Sequence, residues 1–102
     1  MSNTEAINLN DVVKTRKFTF IADSGHGWLE VPRSLLQTLG IEAQISGCSY
    51  QFSGLTYLEE DCDMPRFIQA FKAVYDTDPK IVDIEVNGRS IVRSYDRFSP
   101  IS

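Results

Sequence analysis

The segment from Glu59 to Asp63 reads Glu-Glu-Asp-Cys-Asp, which puts four carboxylates and a thiol into five consecutive positions. Because Mg²⁺ and Ca²⁺ bind several oxygen ligands around a small sphere, a hard-cation site is one interpretation of this segment. Neighbouring strand residues point to opposite faces, so Glu59 and Asp61 could converge on a cation, but all four acids could not. The spacing also lacks the Asp-x-Asp-x-Asp-Gly pattern of an EF-hand loop.

Two other interpretations of the acidic segment stay open. In the first, a strand ends near Glu59, Asp63 caps the helix that follows, and the other acids lie near the positive N-terminus of that helix. In the second, Glu59, Glu60 and Asp61 form an exposed acidic patch that binds a basic surface of another protein. The aromatic anchors for such a partner would be Trp28 and Tyr57.

His26 is the single histidine and lies three residues after Asp23 in the segment DSGHGW. Asp23 could orient the imidazole as a general base, so a small metal-assisted or acid–base hydrolase using Asp23, His26 and nearby carboxylates is one hypothesis. A metal site, if the chain has one, would draw on His26, Glu59 and Asp61. No Gly-x-Ser-x-Gly or His-x-x-x-His spacing accompanies the histidine. The sequence therefore favours a hairpin turn whose backbone is hydrogen-bonded to Asp23, and it indicates no cofactor.

Cys48 and Cys62 are the two cysteines of the chain. The negative charge beside Cys62 opposes formation of its thiolate, and a catalytic cysteine also needs a base. No signal-peptide pattern and no long apolar run are visible in the sequence. We therefore expect a cytoplasmic protein without membrane spans, in which two reduced thiols act as small buried packing residues. A disulfide between them is the less favoured alternative in that compartment.

The charge balance disfavours broad nucleic-acid binding, because the net charge is −4 and the isoelectric point is about 4.8. Arg89, Arg93 and Arg97 nevertheless recur every four positions, with Tyr95 and Phe98 interleaved. On one extended strand these arginines would share a face, which keeps a nucleic-acid-binding regulator as an alternative. The more ordinary explanation is a set of edge-strand charges that prevent aggregation.

Hydrophobic alternation and turn signals predict the elements of the first half of the chain. RKFTFIAD and WLEV alternate as strands, joined by the glycine-containing DSGHG turn. A helix is predicted to begin at Pro32 and to end just before Gly40, because proline suits the first turn of a helix and glycine suits the position after its end. Its buried stripe is expected to consist of Leu35, Leu36 and Leu39.

The second half of the chain is expected to contain two hairpins and the clearest helix. Ser53-Gly54 is the turn of the first hairpin, and Asn87-Gly88 is the strongest hairpin signal in the chain. The core face predicted for the second hairpin carries Val82, Ile84, Val86 and Ile91. Between the hairpins, DMPRFIQAFKAVYD has helical periodicity. The core face predicted for this helix consists of Phe67, Ala70, Phe71 and Val74.

These elements predict one α+β domain over residues 14–102, in the order β-β-α-β-β-α-β-β, after a partly ordered tail at 1–13. Because the connections between strands are short, the sheet is expected to be mostly antiparallel, with two helices packed on one face. At 102 residues the chain is too short for two separate cores.

The patterns GHGWL-x-VP, L-x-x-LGI, IS-x-x-SY and YLEEDCD lie within residues 23–70. They resemble a family of small uncharacterised proteins encoded in bacteriophages and prophages. The resemblance implies an accessory gene product of a mobile element, and it transfers no activity. By analogy with other short acidic phage proteins, we expect a non-enzymatic monomer or homodimer in the cytoplasm of a bacterial host. Its expected role is to bind and block a host protein with a basic surface, as host-defence inhibitors of the anti-CRISPR kind do.

Overall fold

The computed structural model of the chain describes residues 9–100, which form a single α+β domain. The helices are α1 (Leu9–Thr15), α2 (Arg33–Thr38) and α3 (Met64–Tyr75), and short 3₁₀ turns cover Glu42–Gln44 and Ile91–Ser94. The strands are β1 (Lys17–Ala22), β2 (Gly27–Pro32), β3 (Tyr50–Phe52), β4 (Leu55–Glu59), β5 (Lys80–Glu85) and β6 (Asp96–Arg97).

The six strands form one sheet in the order β5-β1-β2-β4-β3-β6. The β1–β2, β2–β4, β3–β4 and β3–β6 pairs are antiparallel, whereas β5 runs parallel to β1. The predicted α+β class with a mostly antiparallel sheet is therefore confirmed. The parallel pair arises because the chain crosses the sheet through α3 before it returns beside β1.

The main core lies between the helices and one face of the sheet. This face carries alternate strand residues, among them Phe18, Leu29 and Leu58, each of which is at most 1% exposed. Both predicted helices pack on it, as expected. They contribute Leu35 and Leu36 from α2, and Phe67, Phe71 and Tyr75 from α3.

Helix α3 forms where its periodicity predicts it, with Pro65 in its first turn. It ends at Tyr75, and the C-cap residue Asp76 lies in the left-handed region with a φ of 59°. One member of the predicted core face is wrong, because Val74 is 56% exposed and Tyr75 takes the buried position one residue later. The buried stripe follows the i, i+4, i+8 spacing of Phe67, Phe71 and Tyr75.

The hairpin predicted around Asn87-Gly88 is wrong, although Gly88 does adopt a positive φ of 74°. After β5 the chain turns away from the strand and enters the 3₁₀ turn at Ile91–Ser94. The core face predicted for this hairpin is wrong as well, since Val82, Ile84 and Ile91 are 45%, 46% and 69% exposed. Contacts between the segment after Gly88 and distant parts of the chain take the place of the hairpin pairing that the Asn87-Gly88 turn favours.

The sequence predicts a partly ordered tail at residues 1–13. Of these, residues 9–13 belong to α1, and Val13 packs against the main core. The rest of the predicted tail, residues 1–8, lies outside the described residues. Within the described range, no helix combines the length and the apolar character needed to cross a bilayer.

Candidate functional site

A pocket of about 440 Å³ opens on the face of the sheet opposite to the helices. Strand register places Trp28 beside Glu59, and Tyr50 beside Tyr57, on this face. Its aromatic floor is formed by Trp28 and Tyr50, which belong to a second buried cluster together with Tyr57 and Val92. The pocket rim is polar, and several residues of the two segments singled out in the sequence contribute to it.

The turn between β1 and β2 is built around the carboxylate of Asp23, as the sequence predicts. Its Oδ1 accepts hydrogen bonds from the backbone N–H groups of Gly25 and His26, each at 3.0 Å. The same carboxylate also binds Arg93 and the backbone N–H of Ser90. The Arg93 guanidinium, followed by the N–H of Ser90, holds the pKa of Asp23 far below its ordinary value. Asp23 is therefore a fixed anion of the turn, and its carboxylate is not the partner of the His26 imidazole.

The imidazole of His26 instead lies against Glu59, with Nδ1 3.4 Å from Oε2. The other oxygen, Oε1, accepts hydrogen bonds from the backbone N–H groups of Asp61 and Cys62 at 2.8 and 3.0 Å. Glu59 is thus a buried turn-forming carboxylate with one oxygen facing a 54% exposed imidazole side chain. A carboxylate on Nδ1 leaves Nε2 as the nitrogen that would exchange a proton with a bound molecule.

Two arginines cover the aromatic floor of the pocket. The guanidinium of Arg93 lies 5.2 Å from the ring centroid of Trp28, and that of Arg97 lies 4.7 Å from the ring of Tyr50. Arg89 does not line this pocket and lies in the exposed segment that follows β5. The expectation of three arginines along one extended strand is therefore wrong, because the chain folds into a 3₁₀ turn between Arg89 and Arg97.

Both cysteines line the pocket and both are exposed, so the prediction that they are buried packing residues is wrong. The pKa of the Cys62 thiol is raised to about 12, first by the neighbouring Cys48 side chain, then by partial desolvation and by Glu59. A thiol held protonated to this degree is a poor nucleophile near neutral pH.

The acids of the Glu59–Asp63 segment have different environments in the structure. The strand ends at Glu59, as predicted, but Asp63 makes no side-chain hydrogen bond to the start of α3. Asp63 does occupy the predicted N-cap position of α3, but the residue is 2% exposed and its carboxylate binds Ser46 and Ser49, so only the expected side-chain capping bond is wrong. Glu60 and Asp61 are exposed. Over residues 9–100 no group of three or more His, Cys, Asp or Glu side chains is arranged to hold a metal ion, the set of His26, Glu59 and Asp61 included.

The predicted aromatic anchors are buried, with Trp28 2% exposed and Tyr57 4% exposed. Both belong to the second buried cluster, and Trp28 also lines the pocket. The Tyr57 hydroxyl donates to Glu30 Oε2 at 3.0 Å, and burial followed by this carboxylate raises the pKa of Tyr57 well above its ordinary value. Glu59 is buried too, so the predicted acidic patch is reduced to Glu60 and Asp61.

Sequence reasoning brought His26 and Glu59 into one hypothesis, and the structure places them together. It missed the pocket residues Tyr50, Arg93 and Arg97 as a group, since no local spacing connects them with the histidine turn. The one sequence signal was the surplus of arginines near the C-terminus. A scan against protein-family models, a search of curated proteins and a search of solved structures each returned no significant match to this chain.

Proposed function

We propose that this chain is a non-enzymatic phage or prophage accessory protein that binds a host protein along the free edge of β5. The observation that carries the proposal is the exposure of this strand. Five of its six residues are exposed, and in the described part of the chain β1 is its one neighbour in the sheet. An edge strand offers unpaired N–H and C=O groups to an added strand, which is a recurrent mode of peptide recognition.

The side chains of β5 indicate which chemistry the added strand would have. Val82 and Ile84 are exposed on one face, while Asp83 and Glu85 are exposed on the other. A partner segment in which basic and apolar residues alternate would match both faces at once. A second copy of this chain fits less well, because antiparallel pairing of two β5 strands brings their carboxylates together on one face.

The engagement of the carboxylates in the fold supports binding over turnover. Asp23 is bound by Arg93 and by backbone N–H groups, and Asp63 is bound by two serines. Glu59 has one oxygen bound to two backbone N–H groups. These groups stabilise turns, which is why their clustering in the sequence does not by itself indicate catalysis. The host target and the cytoplasmic location belong to the proposal.

The proposal is tested by capture from a bacterial lysate with three baits: the unchanged protein, Asp83→Lys/Glu85→Lys and Glu60→Lys/Asp61→Lys. The two double variants change the net charge by the same amount at different exposed places. We expect the β5 variant to lose the captured protein by about tenfold or more, and the control variant to retain it. A peptide of alternating lysine and valine should compete, whereas a peptide with the same residues in two blocks should not.

If only the Glu60→Lys/Asp61→Lys variant loses the captured protein, the binding site is the acidic segment predicted from the sequence and not β5. If both double variants capture the protein as well as the unchanged bait does, binding through these acidic residues is contradicted. Sedimentation of the purified protein tests whether the chain forms a dimer through β5. Such a dimer would dissociate in the Val82→Lys variant.

The 3.4 Å approach of His26 Nδ1 to Glu59 Oε2 favours a hydrolase as the second candidate function. In this alternative the imidazole acts as the base and Glu59 orients it. The test compares hydrolysis of activated ester and phosphodiester substrates by the unchanged protein and by His26→Gln. Turnover that disappears in the variant would establish the hydrolase, whereas equal rates in both proteins would remove it.

A further inference from the structure

The two thiols of the chain lie on adjacent turns at the rim of the pocket. Cys48 belongs to the turn before β3, where its backbone N–H is 3.1 Å from Ser46 Oγ. Cys62 belongs to the turn after β4, where its backbone N–H is 3.2 Å from the carbonyl oxygen of Glu59. Both side chains are free thiols, both are exposed, and both line the same pocket. Small oxidants and thiols in solution can therefore reach them.

Asp63 holds these two turns together from the protein side. Its carboxylate accepts hydrogen bonds from the Ser46 hydroxyl at 2.8 Å and from the Ser49 hydroxyl. These serines flank Cys48 in the chain, and Asp63 directly follows Cys62. A further bond joins the turns, because the backbone N–H of Glu59 donates to Ser49 Oγ at 3.0 Å. The separation of the two cysteines is thus fixed by buried hydrogen bonds rather than by chance contact on the surface.

The bonded residues Ser46, Ser49, Glu59 and Asp63 bracket the two cysteines, so the fold holds both thiols at one place on the pocket rim. A disulfide there requires side-chain rotation and little movement of the backbone. The Cys48 side chain is also the largest cause of the raised pKa of Cys62. Because a protonated thiol is a poor nucleophile, the first attack on an oxidant is assigned to Cys48.

We propose that Cys48 and Cys62 are an oxidation site, at which a small disulfide such as oxidised glutathione converts the thiol pair into an intramolecular disulfide. The Cys48 thiolate attacks one sulfur of oxidised glutathione, which forms a mixed disulfide and releases one glutathione thiolate. Cys62 then loses its proton to solvent and attacks the Cys48 sulfur, which releases the second glutathione. Two protein thiols are oxidised, and one glutathione disulfide is reduced to two thiols.

Capping of Cys48 by glutathione also changes the neighbour that contributes most to the raised pKa of Cys62. The resulting disulfide would join the turn before β3 to the turn after β4. It would fix the rim of the pocket beside the His26–Glu59 pair, so oxidation would change what the pocket can admit.

The experiment equilibrates the purified chain with glutathione buffers of increasing oxidised fraction under anaerobic conditions, followed by alkylation of free thiols and measurement of the intact mass. We expect both alkylation sites to disappear together, with a mass lower by two hydrogen atoms and a peptide map that links Cys48 to Cys62. The single variants Cys48→Ser and Cys62→Ser are the controls. Each should only gain glutathione, at about tenfold higher oxidised glutathione or more than the pair requires.

Three results would overturn the proposal: a stable mixed disulfide on the unchanged chain, a disulfide between two chains in preference to the internal one, or retention of both thiols in buffers that modify the single variants. Both substitutions lie at exposed positions, so they should leave the fold intact. Fluorescence of the buried Trp28 checks this for each variant.

Discussion

Asp23 and Arg93 are 70 positions apart in the chain, yet their side chains form a two-point ion pair, with Nε 2.7 Å from Oδ2 and Nη2 2.8 Å from Oδ1. The same carboxylate accepts backbone N–H groups from Gly25 and His26 on its own turn and from Ser90 on the distant segment. One aspartate therefore joins the β1–β2 turn to the segment that follows β5. This junction holds the 3₁₀ turn over the aromatic floor of the pocket.

The pH dependence of stability should show this junction. Because the folded-state pKa of Asp23 is lowered, the folded protein binds a proton at this carboxylate less readily than the unfolded chain does. The stabilisation is complete above the unfolded pKa of about 3.9 and is lost as the pH falls below it toward the folded value. Asp23→Asn should lower the melting temperature at about pH 6, and the difference from the unchanged protein should shrink at about pH 3.

Thermal unfolding followed by the fluorescence of Trp28, the single tryptophan, measures this difference. Asp78→Asn is the matched control, because Asp78 is exposed and lies outside the junction. Its melting temperature should follow that of the unchanged protein at both pH values. An Asp23→Asn difference that stays constant between the two pH values would contradict the assignment of the ion pair as the source of stability.

Asp63 provides a test of the buried clamp between the two cysteine-bearing turns. Asp63→Ala should lower the free energy of unfolding by about 2–4 kcal/mol, because the hydroxyl of Ser49 and the polar groups of Ser46 lose a charged acceptor. Asp61→Ala removes an exposed carboxylate two residues earlier and should change it by less than about 0.5 kcal/mol. Urea unfolding of the two variants checks the contrast. Equal effects would mean that Asp63 acts only through the general negative charge of the segment.

The elements that could be predicted from the sequence are those that local interactions determine. The Ser53-Gly54 hairpin forms with both residues at positive φ, and α3 follows the periodicity of its aromatic residues. The backbone hydrogen bonds of Asp23 within its own turn were also predictable, because they span two and three residues.

The parts that could not be predicted depend on contacts between distant segments. Asn87-Gly88 favours a hairpin locally, but β5 pairs with β1 and the next residues bind Asp23. The roles of Glu59 and Asp63 also depend on contacts with distant segments. Glu59 rather than Asp63 caps the turn after β4, because Asp63 is taken by serines that lie 14 and 17 residues earlier in the chain. The spacing of the residues in the sequence does not indicate which of the two acids binds the serines.

The register of α3 can be tested with two substitutions on neighbouring turns. Phe71 is fully buried between Phe18, Phe67 and Tyr75, with ring centroids 4.8–5.8 Å away. Phe71→Ala should therefore lower the free energy of unfolding by about 3–5 kcal/mol through loss of burial and creation of a cavity. Val74→Ala, on the exposed side of the helix, should cost less than about 0.5 kcal/mol. A larger cost at Val74 in urea unfolding would restore the core face predicted from the sequence.

Arg33 joins three segments, so it should tolerate lysine poorly although the charge is retained. Its guanidinium donates to Glu42 Oε2 at 2.6 Å, to Gln51 Oε1 at 2.9 Å and to the Ser99 carbonyl at 2.6 Å. It also lies over the ring of Phe98, 4.6 Å from the centroid. A lysine ammonium lacks the planar fork that reaches these acceptors together.

We expect Arg33→Lys to lower the free energy of unfolding by about 1–3 kcal/mol, because at least one partly buried acceptor loses its donor. Arg66→Lys is the matched control, since Arg66 is exposed and donates to Gln44 alone among the described side chains. Its effect should stay below about 0.5 kcal/mol. Hydrogen exchange would show whether the loss is local, because the β3 amides beside Gln51 should open faster in Arg33→Lys and not in Arg66→Lys. Unchanged protection in β3 would mean that Arg33 does not hold the C-terminal segment to the sheet.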